Sequence, residues 1–231
     1  MERNELVLLR LSNQYLLRTG ERMEVLRAMN GFQAQFLSNA LYAMRLRSTA
    51  YDTAHAADSL VKSWTLRGTM HIFAEADLPL FLHTGCRYRS RDWTVPSFWN
   101  QRPNWALTPK RQAYFSDLII DALAQGPMTR EALKARCRAA GMTQAEEGSV
   151  FHPWGGGIRE LCERGFLCGT VSEEKAFRLC PAFTPMEEQD ALLEQTRRYF
   201  TNYGPASVRD AAYYFGTSQA EIKKRLARLP V

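Results

Sequence analysis

The stretch Gly31-Phe32-Gln33-Ala34-Gln35-Phe36-Leu37-Ser38-Asn39-Ala40-Leu41-Tyr42 combines two glutamines, two residues apart, with an apolar pattern of helical period. The pattern predicts a helix over residues 33–46 whose buried face consists of Phe36, Leu37, Ala40, Leu41 and Met44. Both glutamines then fall in the first turn, where backbone N–H groups lack helical partners, and both amides can point away from the core. Asn30-Gly31 predicts a turn after a preceding helix over residues 21–29.

Strand-forming residues follow this helix pair. Residues 62–73 alternate partially around Gly68, which predicts a β-hairpin or a bulged strand. A helix over residues 4–19, with leucines at helical spacing, precedes the pair. Helices followed by a hairpin make a winged helix-turn-helix, a motif that commonly presents the start of its second helix to DNA. We assign this first segment, with the arginine- and aromatic-rich stretch after it, to residues 1–104.

The same plan recurs over residues 105–183. Thr108 is a predicted N-cap for a helix that runs to Gln125, and Thr129 begins a second helix that runs to Ala140. A third helix is expected over residues 150–165, and a hairpin over residues 166–179 completes the segment. Gly155-Gly156-Gly157 lacks the Lys-Ser/Thr of a phosphate-binding loop, which favours a structural turn.

A third segment, residues 184–231, is predicted to be incomplete, because two helices follow the Gly204-Pro205 break but no wing does. Its predicted helices cover residues 187–203, 207–215 and 218–229. The expected fold class is mainly α with small β-hairpins (α+β), built from tandem winged helix-turn-helix units.

Composition excludes several classes of protein. The chain has 231 residues, of which 45% are hydrophobic and 23% charged, as in ordinary globular proteins. No apolar run approaches the roughly 20 residues that span a bilayer, and no signal peptide is evident, so no membrane association is expected. The five cysteines form no Cys-x-x-Cys pair and no zinc-finger spacing, which predicts reduced, mostly buried thiols. A net charge of +6 and a pI near 9.2 favour an anionic partner.

Basic residues are the candidates for contacts with that partner. Between residues 87 and 105, arginines interleave with aromatic rings, a composition suited to pairing with phosphates and stacking on bases. The alternative is a linker whose rings pack on a neighbouring domain. Some of the lysines and arginines near the C-terminus are expected to be solvated. The candidate DNA-binding residues are Arg45, Arg67, Gly68, Thr69, His71, Arg87, Arg89, Arg91, Arg209, Lys223 and Lys224.

Three motifs together resemble those of the AlkZ/YcaQ-type winged-helix DNA glycosylases. They are Gln33-Ala34-Gln35, Trp64-Thr65-Leu66-Arg67-Gly68-Thr69-Met70-His71 and Gly204-Pro205-Ala206-Ser207-Val208-Arg209-Asp210. The resemblance covers essentially the whole chain. It implies tandem winged helices around a DNA channel, followed by a C-terminal β-barrel, and excision of bulky or crosslinked N-alkylated purines. This chain is expected to lack the third wing and the barrel region.

The two glutamines are the candidate catalytic residues. A glutamine amide donates and accepts hydrogen bonds but is no general base near neutral pH. Gln33 and Gln35 could instead position one water beside a sugar C1′, which suffices when the leaving base is already cationic. The alternative is that both amides cap the helix start or contact phosphates. The match of the hairpin to the family favours the catalytic interpretation.

For other residues both a structural and a functional interpretation stay open. His71 is either a strand histidine bonded to backbone or part of a channel lining. Arg67, beside the flexible Gly68, is the better phosphate candidate. Arg209 either contacts DNA or forms an ion pair with Asp210 or Glu221.

The resulting hypothesis is a monofunctional DNA N-glycosylase that acts on double-stranded DNA as a monomer. It needs no metal or cofactor and is cytoplasmic, associated with the nucleoid. One alternative is a non-catalytic winged-helix DNA-binding transcriptional regulator, which is typically a symmetric dimer. Another is a protein-interaction module, which would show no salt-dependent affinity for DNA.

Overall fold

Helices dominate the structure, a computed structural model that describes residues 2–229. The helices are α1 (Arg3–Asn13), α2 (Arg22–Ala28), α3 (Leu37–Arg47), α4 (Leu78–Phe81), α5 (Pro109–Leu123), α6 (Arg130–Ala139), α7 (Gln144–Val150), α8 (Gly156–Glu163), α9 (Glu188–Tyr203), α10 (Val208–Phe215) and α11 (Gln219–Leu226). The strands are β1 (Phe32–Gln33), β2 (Leu60–Trp64), β3 (Met70–Ala74), β4 (Met128–Thr129), β5 (Leu167–Gly169) and β6 (Ala176–Leu179). The predicted fold class is confirmed: helix groups are followed by the hairpins β2–β3 and β5–β6.

The elements form two units. The split unit contains the described residues up to Gly85 together with those from Phe183 onward, and the continuous unit is Cys86–Ala182. Helices α9–α11, predicted as a third segment, therefore share the split unit with α1–α4. Their own core is Tyr199, Ala211, Ala212 and Ile222.

Three antiparallel strands pair in each unit. In the split unit the order is β1-β3-β2, with Phe32 opposite Ile72 and Lys62 opposite Ile72 from the other side. In the continuous unit β6 lies between β5 and β4, and Phe177 is opposite both Gly169 and Met128. Because side chains alternate along a strand, this register fixes which residues share a face.

Helix starts follow the predicted capping residues. The hydroxyl of Thr108 accepts the Arg111 backbone N–H at 3.3 Å, and that of Thr129 accepts the Ala132 N–H at 3.2 Å. Ser207 and Ser218 cap α10 and α11 in the same way. Each cap satisfies a donor that the helix leaves unpaired, so these starts are encoded locally.

Side chains of α9 close the end of α2. Its last carbonyls lack helical partners, and three consecutive ones accept hydrogen bonds from α9: Arg27 from Arg198 at 3.0 Å, Ala28 from Asn202 at 3.0 Å and Met29 from Tyr203 at 3.1 Å. This contact anchors the backbone that leads into β1.

Two predicted helices are wrong in extent. The first, predicted over residues 4–19, ends at Asn13, because the chain reverses at Tyr15, whose φ is +58° and whose ring is buried. The helix predicted over residues 150–165 begins only at Gly156, as α8, because residues 151–155 form a turn that contains Pro153, and α7, which ends at Val150, was not predicted. Gly156 allows the close approach of α7 and α8, since a Cβ there would lie 2.2 Å from the Ser149 carbonyl oxygen. The glycine run thus has a structural role, as the sequence predicted: Gly155 ends the turn, and Gly156 and Gly157 begin α8.

The cysteine prediction is confirmed. Cys137, Cys162, Cys168 and Cys180 are buried thiols, and Cys86 is a half-buried one. Burial raises the pKa of the Cys137 thiol to about 12, so this side chain stays protonated.

Candidate functional site

Gln33 lies in a strand and Gln35 in the bend that follows it, so the prediction that they begin a helix is wrong. Gln33 belongs to β1, and α3 begins only at Leu37. The backbone N–H of Ala34 donates to the Met70 carbonyl at 2.7 Å, which continues the pairing with β3. Ala34 is fully buried while both glutamines are exposed, the period-two pattern of a strand. Both glutamine side chains are therefore open to solvent, before and after the buried Ala34.

The turn before β1 explains this local structure. Gly31 has a φ of +78°, and a Cβ there would lie 2.5 Å from the Ile72 carbonyl oxygen, so only glycine fits so close to β3. Asn30 is fully buried and donates from its side chain to the Gln195 carbonyl at 3.0 Å. The contacts with α9 fix the end of α2. After the turn, Phe32 is buried in the core and Gln33 is exposed at the surface.

Phe36 also departs from prediction. It was expected on the buried face of the helix, but it precedes α3 and is 69% exposed. Ala40 and Met44 do form the buried face. An exposed aromatic ring therefore lies directly after Gln35, and on the following helix Arg45 is exposed as well.

A row of three polar side chains crosses the sheet of the split unit. Gln33 on β1 and Ser63 on β2 are both direct cross-strand partners of His71 on β3. Cross-strand partners project from the same face of a sheet. Exposure falls along the row, from the exposed Gln33 through His71 at 6% to Ser63 at 1%. The Ser63 Oγ is buried with no hydrogen-bond partner among the described residues. Sequence reasoning missed Ser63, because the register that aligns the row is a tertiary feature.

The His71 ring has a defined hydrogen bond. Its Nδ1 lies 3.0 Å from the Thr69 carbonyl oxygen. A carbonyl only accepts, so Nδ1 carries the hydrogen and Nε2 of the neutral ring is an acceptor. Burial lowers the pKa of His71, the Thr69 hydrogen bond opposes this, and the charge of Arg67 lowers the pKa further.

Arg67, Gly68 and Thr69 form the tip of the β2–β3 hairpin. Arg67 and Gly68 have positive φ, +54° and +65°, and Thr69 bonds back to the Leu66 carbonyl through its hydroxyl at 3.1 Å. The exposed Arg67 guanidinium lies 5.8 Å from the ring centroid of Tyr213 and 5.9 Å from that of Tyr214. Tyr213, which the sequence did not single out, is 78% exposed. The tip therefore carries a cation beside an open aromatic face.

Tyr214 and Tyr203 lie beneath this tip. Burial raises the pKa of both phenols, so both hydroxyls stay protonated. Their ring centroids are 5.3 Å apart, and the Tyr203 hydroxyl donates to the carbonyl of Met29, directly after α2. The aromatic pair therefore connects the hairpin tip to the end of α2, which leads into β1.

The remaining basic candidates of the split unit are exposed. Arg209 lies on α10, and Lys223 and Lys224 lie on the last turns of α11. The two acidic residues considered as ion-pair partners of Arg209 have other partners in the structure. Asp210 bonds to Ser207, and Glu221 pairs with Arg225 at 3.0 Å.

In the continuous unit, the three arginines at 87–91 are exposed but have protein partners. Arg87 donates to the Pro96 carbonyl, and Arg91 pairs with Asp117. Arg89 donates to the Cys180 carbonyl at 3.4 Å. These contacts fit the interpretation of a packed segment. All three arginines nevertheless remain exposed.

The buried side chain of Arg164 contacts the segment of residues 87–93, and sequence reasoning missed this residue. The side chain is 1% exposed, bonds to Glu160 at 2.7 Å and donates to the Ser90 carbonyl at 2.6 Å. Its guanidinium lies 4.2 Å from the ring centroid of Trp93. A buried arginine reads in sequence like any surface arginine, so no local signal could have identified it.

The chemistry available at the glutamines is that of neutral amides. Residues two apart have Cα atoms at most about 7 Å from one another, so two exposed glutamine side chains can reach one small molecule between them. Within residues 2–229 no three His, Cys, Asp or Glu side chains are grouped so as to hold a metal ion. None of the described helices has the length and hydrophobicity needed to cross a membrane.

Comparisons with known proteins concern the family and the fold of the chain. Residues 26–231 match the family described as DNA glycosylase AlkZ-like. An interstrand DNA cross-link repair glycosylase of Streptomyces sahachiroi is 29% identical over an alignment of 202 residues, which covers 80% of this chain and 52% of that protein. The structure of the Streptomyces sahachiroi DNA glycosylase AlkZ superposes with a TM-score of 0.70 over 98% of this chain and 65% of that one, at 22% identity, and shows the same fold. The chain spans about half the length of this curated relative.

Proposed function

Because this chain belongs to the AlkZ-like family of DNA glycosylases, we propose that it hydrolyses the N-glycosidic bond of cationic N-alkylated purines in double-stranded DNA. The relative's name extends the proposed substrates to crosslinked purines. The observation that carries the proposal is the pair of exposed amides, Gln33 and Gln35, which precede and follow the buried Ala34 at the end of β1.

The proposed reaction suits neutral catalytic groups. An N7- or N3-alkylated purine carries a positive charge, so its bond to C1′ breaks with the electron pair moving to the base, which leaves neutral. Water forms the new bond to C1′ and releases its proton to solvent. Gln33 and Gln35 accept hydrogen bonds from this water and aim its lone pair at C1′, where an oxocarbenium-like charge develops.

The same residues support a monofunctional enzyme. A glutamine amide cannot form the Schiff base by which bifunctional glycosylases cleave the strand, so the product is an abasic site and a free base. No metal or cofactor has a part in this reaction. We propose that the protein acts as a monomer on one lesion, in the cytoplasm and associated with the nucleoid.

DNA binding is proposed for exposed cations in both units. In the split unit these are Arg45, Arg67, Arg209, Lys223 and Lys224, with Gly68 and Thr69 shaping the turn that presents Arg67. In the continuous unit they are Arg87, Arg89 and Arg91. Cations near phosphates release counterions, so each contact adds salt-dependent affinity without selecting a sequence.

The test is an oligonucleotide duplex with one N7-alkylguanine, incubated with the protein and then cleaved with alkali at any abasic site. We expect strand cleavage with the unmodified chain and with Gln125→Ala, whose side chain is exposed at the end of α5. The Gln33→Ala, Gln35→Ala double variant should give none above background. The alternative is a non-catalytic DNA-binding transcriptional regulator. It would be supported if the chain, and any longer form that carries further domains, bound DNA without excising a base.

A further inference from the structure

The register of the sheet makes Gln33 and His71 neighbours. The two residues are direct partners across β1 and β3, and their side chains share a face of the sheet. Cβ atoms of such partners are about 5 Å apart, so a glutamine amide reaches the ring of its partner. Nδ1 of His71 is committed to the Thr69 carbonyl, and Nε2 is left as the acceptor.

No described residue donates a hydrogen bond to Nε2 of His71 in the structure, and the exposed Gln33 side chain can do so by rotating toward the ring. Ser63, the partner on the other side, is the competing donor, but its hydroxyl makes no hydrogen bond among the described residues. On the hairpin itself, Arg67 is the charged group that acts on the ring, and its positive charge disfavours protonation. The ring is therefore neutral near pH 7.

The orientation of the Gln33 amide matters for the proposed reaction. A glutamine can present either its oxygen or its NH₂ group to a neighbouring water. With the oxygen facing it, the water donates a hydrogen and keeps a lone pair for C1′. With the NH₂ group facing it, the water accepts, and that lone pair is occupied. A catalytic amide at the surface thus needs a partner that fixes its orientation.

We infer that His71 is a positioning residue: its Nε2 accepts a hydrogen bond from the NH₂ group of Gln33 and so turns the amide oxygen toward the attacking water. The inference rests on the proposed function. Gln35 has no equivalent partner in the register of β1 and β3, so the two amides differ. Protonation of His71 would place an N–H against the Gln33 NH₂ group and favour the unproductive orientation.

Kinetic tests separate positioning from structural support. His71→Phe removes the acceptor and should slow single-turnover excision about tenfold, the effect of losing one hydrogen bond, whereas the affinity for DNA should not change. His71→Gln restores an acceptor and should recover most of the rate. In the native chain the rate should fall as the pH drops below the pKa of His71, which lies under 6.5, and this acid limb should be absent from His71→Gln. Ser63→Ala is the matched control in the same row and should match the native chain.

A double-mutant cycle gives the decisive comparison. If His71 acts through Gln33, His71→Phe should have no further effect in a Gln33→Ala background. Equal losses in both backgrounds would show that the histidine only supports the fold and would overturn the inference.

A second measurement does not depend on excision. In the ¹⁵N-labelled chain the side-chain NH₂ resonances of Gln33 should shift as His71 titrates, while those of Gln35 serve as the internal reference. Absence of any shift at Gln33 would overturn the inference even if the chain is an active glycosylase. A shift in a chain that excises nothing would support the contact and count against the proposed function alone.

Discussion

Arg198 and Asp77 form a buried, two-point ion pair in the split unit. One guanidinium nitrogen lies 2.7 Å from one carboxylate oxygen, and a second lies 3.0 Å from the other oxygen. The same guanidinium donates to the Arg27 carbonyl at the end of α2. The pair therefore ties α9 to the end of α2, which leads into β1, and to the turn after β3, the strand that pairs with β1.

Asp77→Ala should destabilise the split unit strongly. It leaves the buried Arg198 with Glu194, at 2.8 Å, in place of two carboxylate partners, and breaking a buried ion pair typically costs about 3–5 kcal/mol. Chemical denaturation monitored by circular dichroism measures it. The control is Asp52→Ala, because Asp52 is exposed and pairs only with the exposed His55. A change in the free energy of unfolding as small as that of the control would show that the ion pair carries little stability.

The salt dependence of DNA binding tests the hairpin tip. Replacing Arg67 by Ala removes an exposed cation that the Tyr213 and Tyr214 rings hold in place. Binding to every duplex should weaken alike, and the slope of log K against log salt should become shallower by about 0.9. Fluorescence anisotropy at several salt concentrations gives this slope.

Arg197→Ala is the matched control for Arg67. It removes the same charge, but that charge is already paired with Glu194 at 2.6 and 2.7 Å. The control should leave the slope unchanged. Identical slopes for all three chains would count against a phosphate contact at the hairpin tip.

Local signals in the sequence predicted most helices. Thr108 and Thr129 cap the helices that were predicted to follow them, and Ser207 and Ser218 cap the helices that were predicted to begin at them, because a cap is an interaction between residues three positions apart. Alternation around Gly68 likewise predicted the hairpin that β2 and β3 form. The local sequence is therefore sufficient to predict these elements.

The environment of the glutamines could not be predicted in this way. The apolar residues after Gln35 suggested a helix that began at Gln33, but pairing of two residues with β3 decides the local conformation. Asn30 bonds to Gln195 across 165 positions, and Tyr203 bonds to Met29 across 174. Contacts of that separation leave no local pattern, so the row of Gln33, His71 and Ser63 emerged only with the fold.

Acid should remove a specific part of the stability of the continuous unit. Glu146 is buried, and its hydrogen bonds with Arg111 at 2.6 and 2.7 Å lower its pKa from 4.5 to about 2. A pKa that is lower in the folded state contributes stability above about pH 4.5, and this contribution is lost as the pH falls toward 2. Glu146→Gln should therefore destabilise the protein by about 2 kcal/mol at pH 7.

The difference from the native chain should shrink between pH 4.5 and 2, which denaturation at a series of pH values measures. Glu131→Gln is the control, because Glu131 is exposed and pairs only with Lys134. A Glu146→Gln difference that does not vary with pH would show that the carboxylate charge contributes nothing.

Gln35→Glu separates the catalytic role of the site from its role in binding. A carboxylate accepts hydrogen bonds from the attacking water as the amide does, and its charge stabilises the positive sugar that forms as the base leaves. The same charge repels nearby phosphates. Excision at saturating protein should therefore be at least as fast as in the native chain, while affinity for DNA at low salt should fall. Gln35→Ala should show the reverse, a rate lower by about 100-fold with affinity unchanged, because a neutral amide releases no counterions. Single-turnover kinetics and anisotropy on the same duplex measure both quantities. If Gln35→Glu and Gln35→Ala lose rate equally, the side chain at this position does not hold the water, and the assignment of Gln35 as a catalytic residue fails.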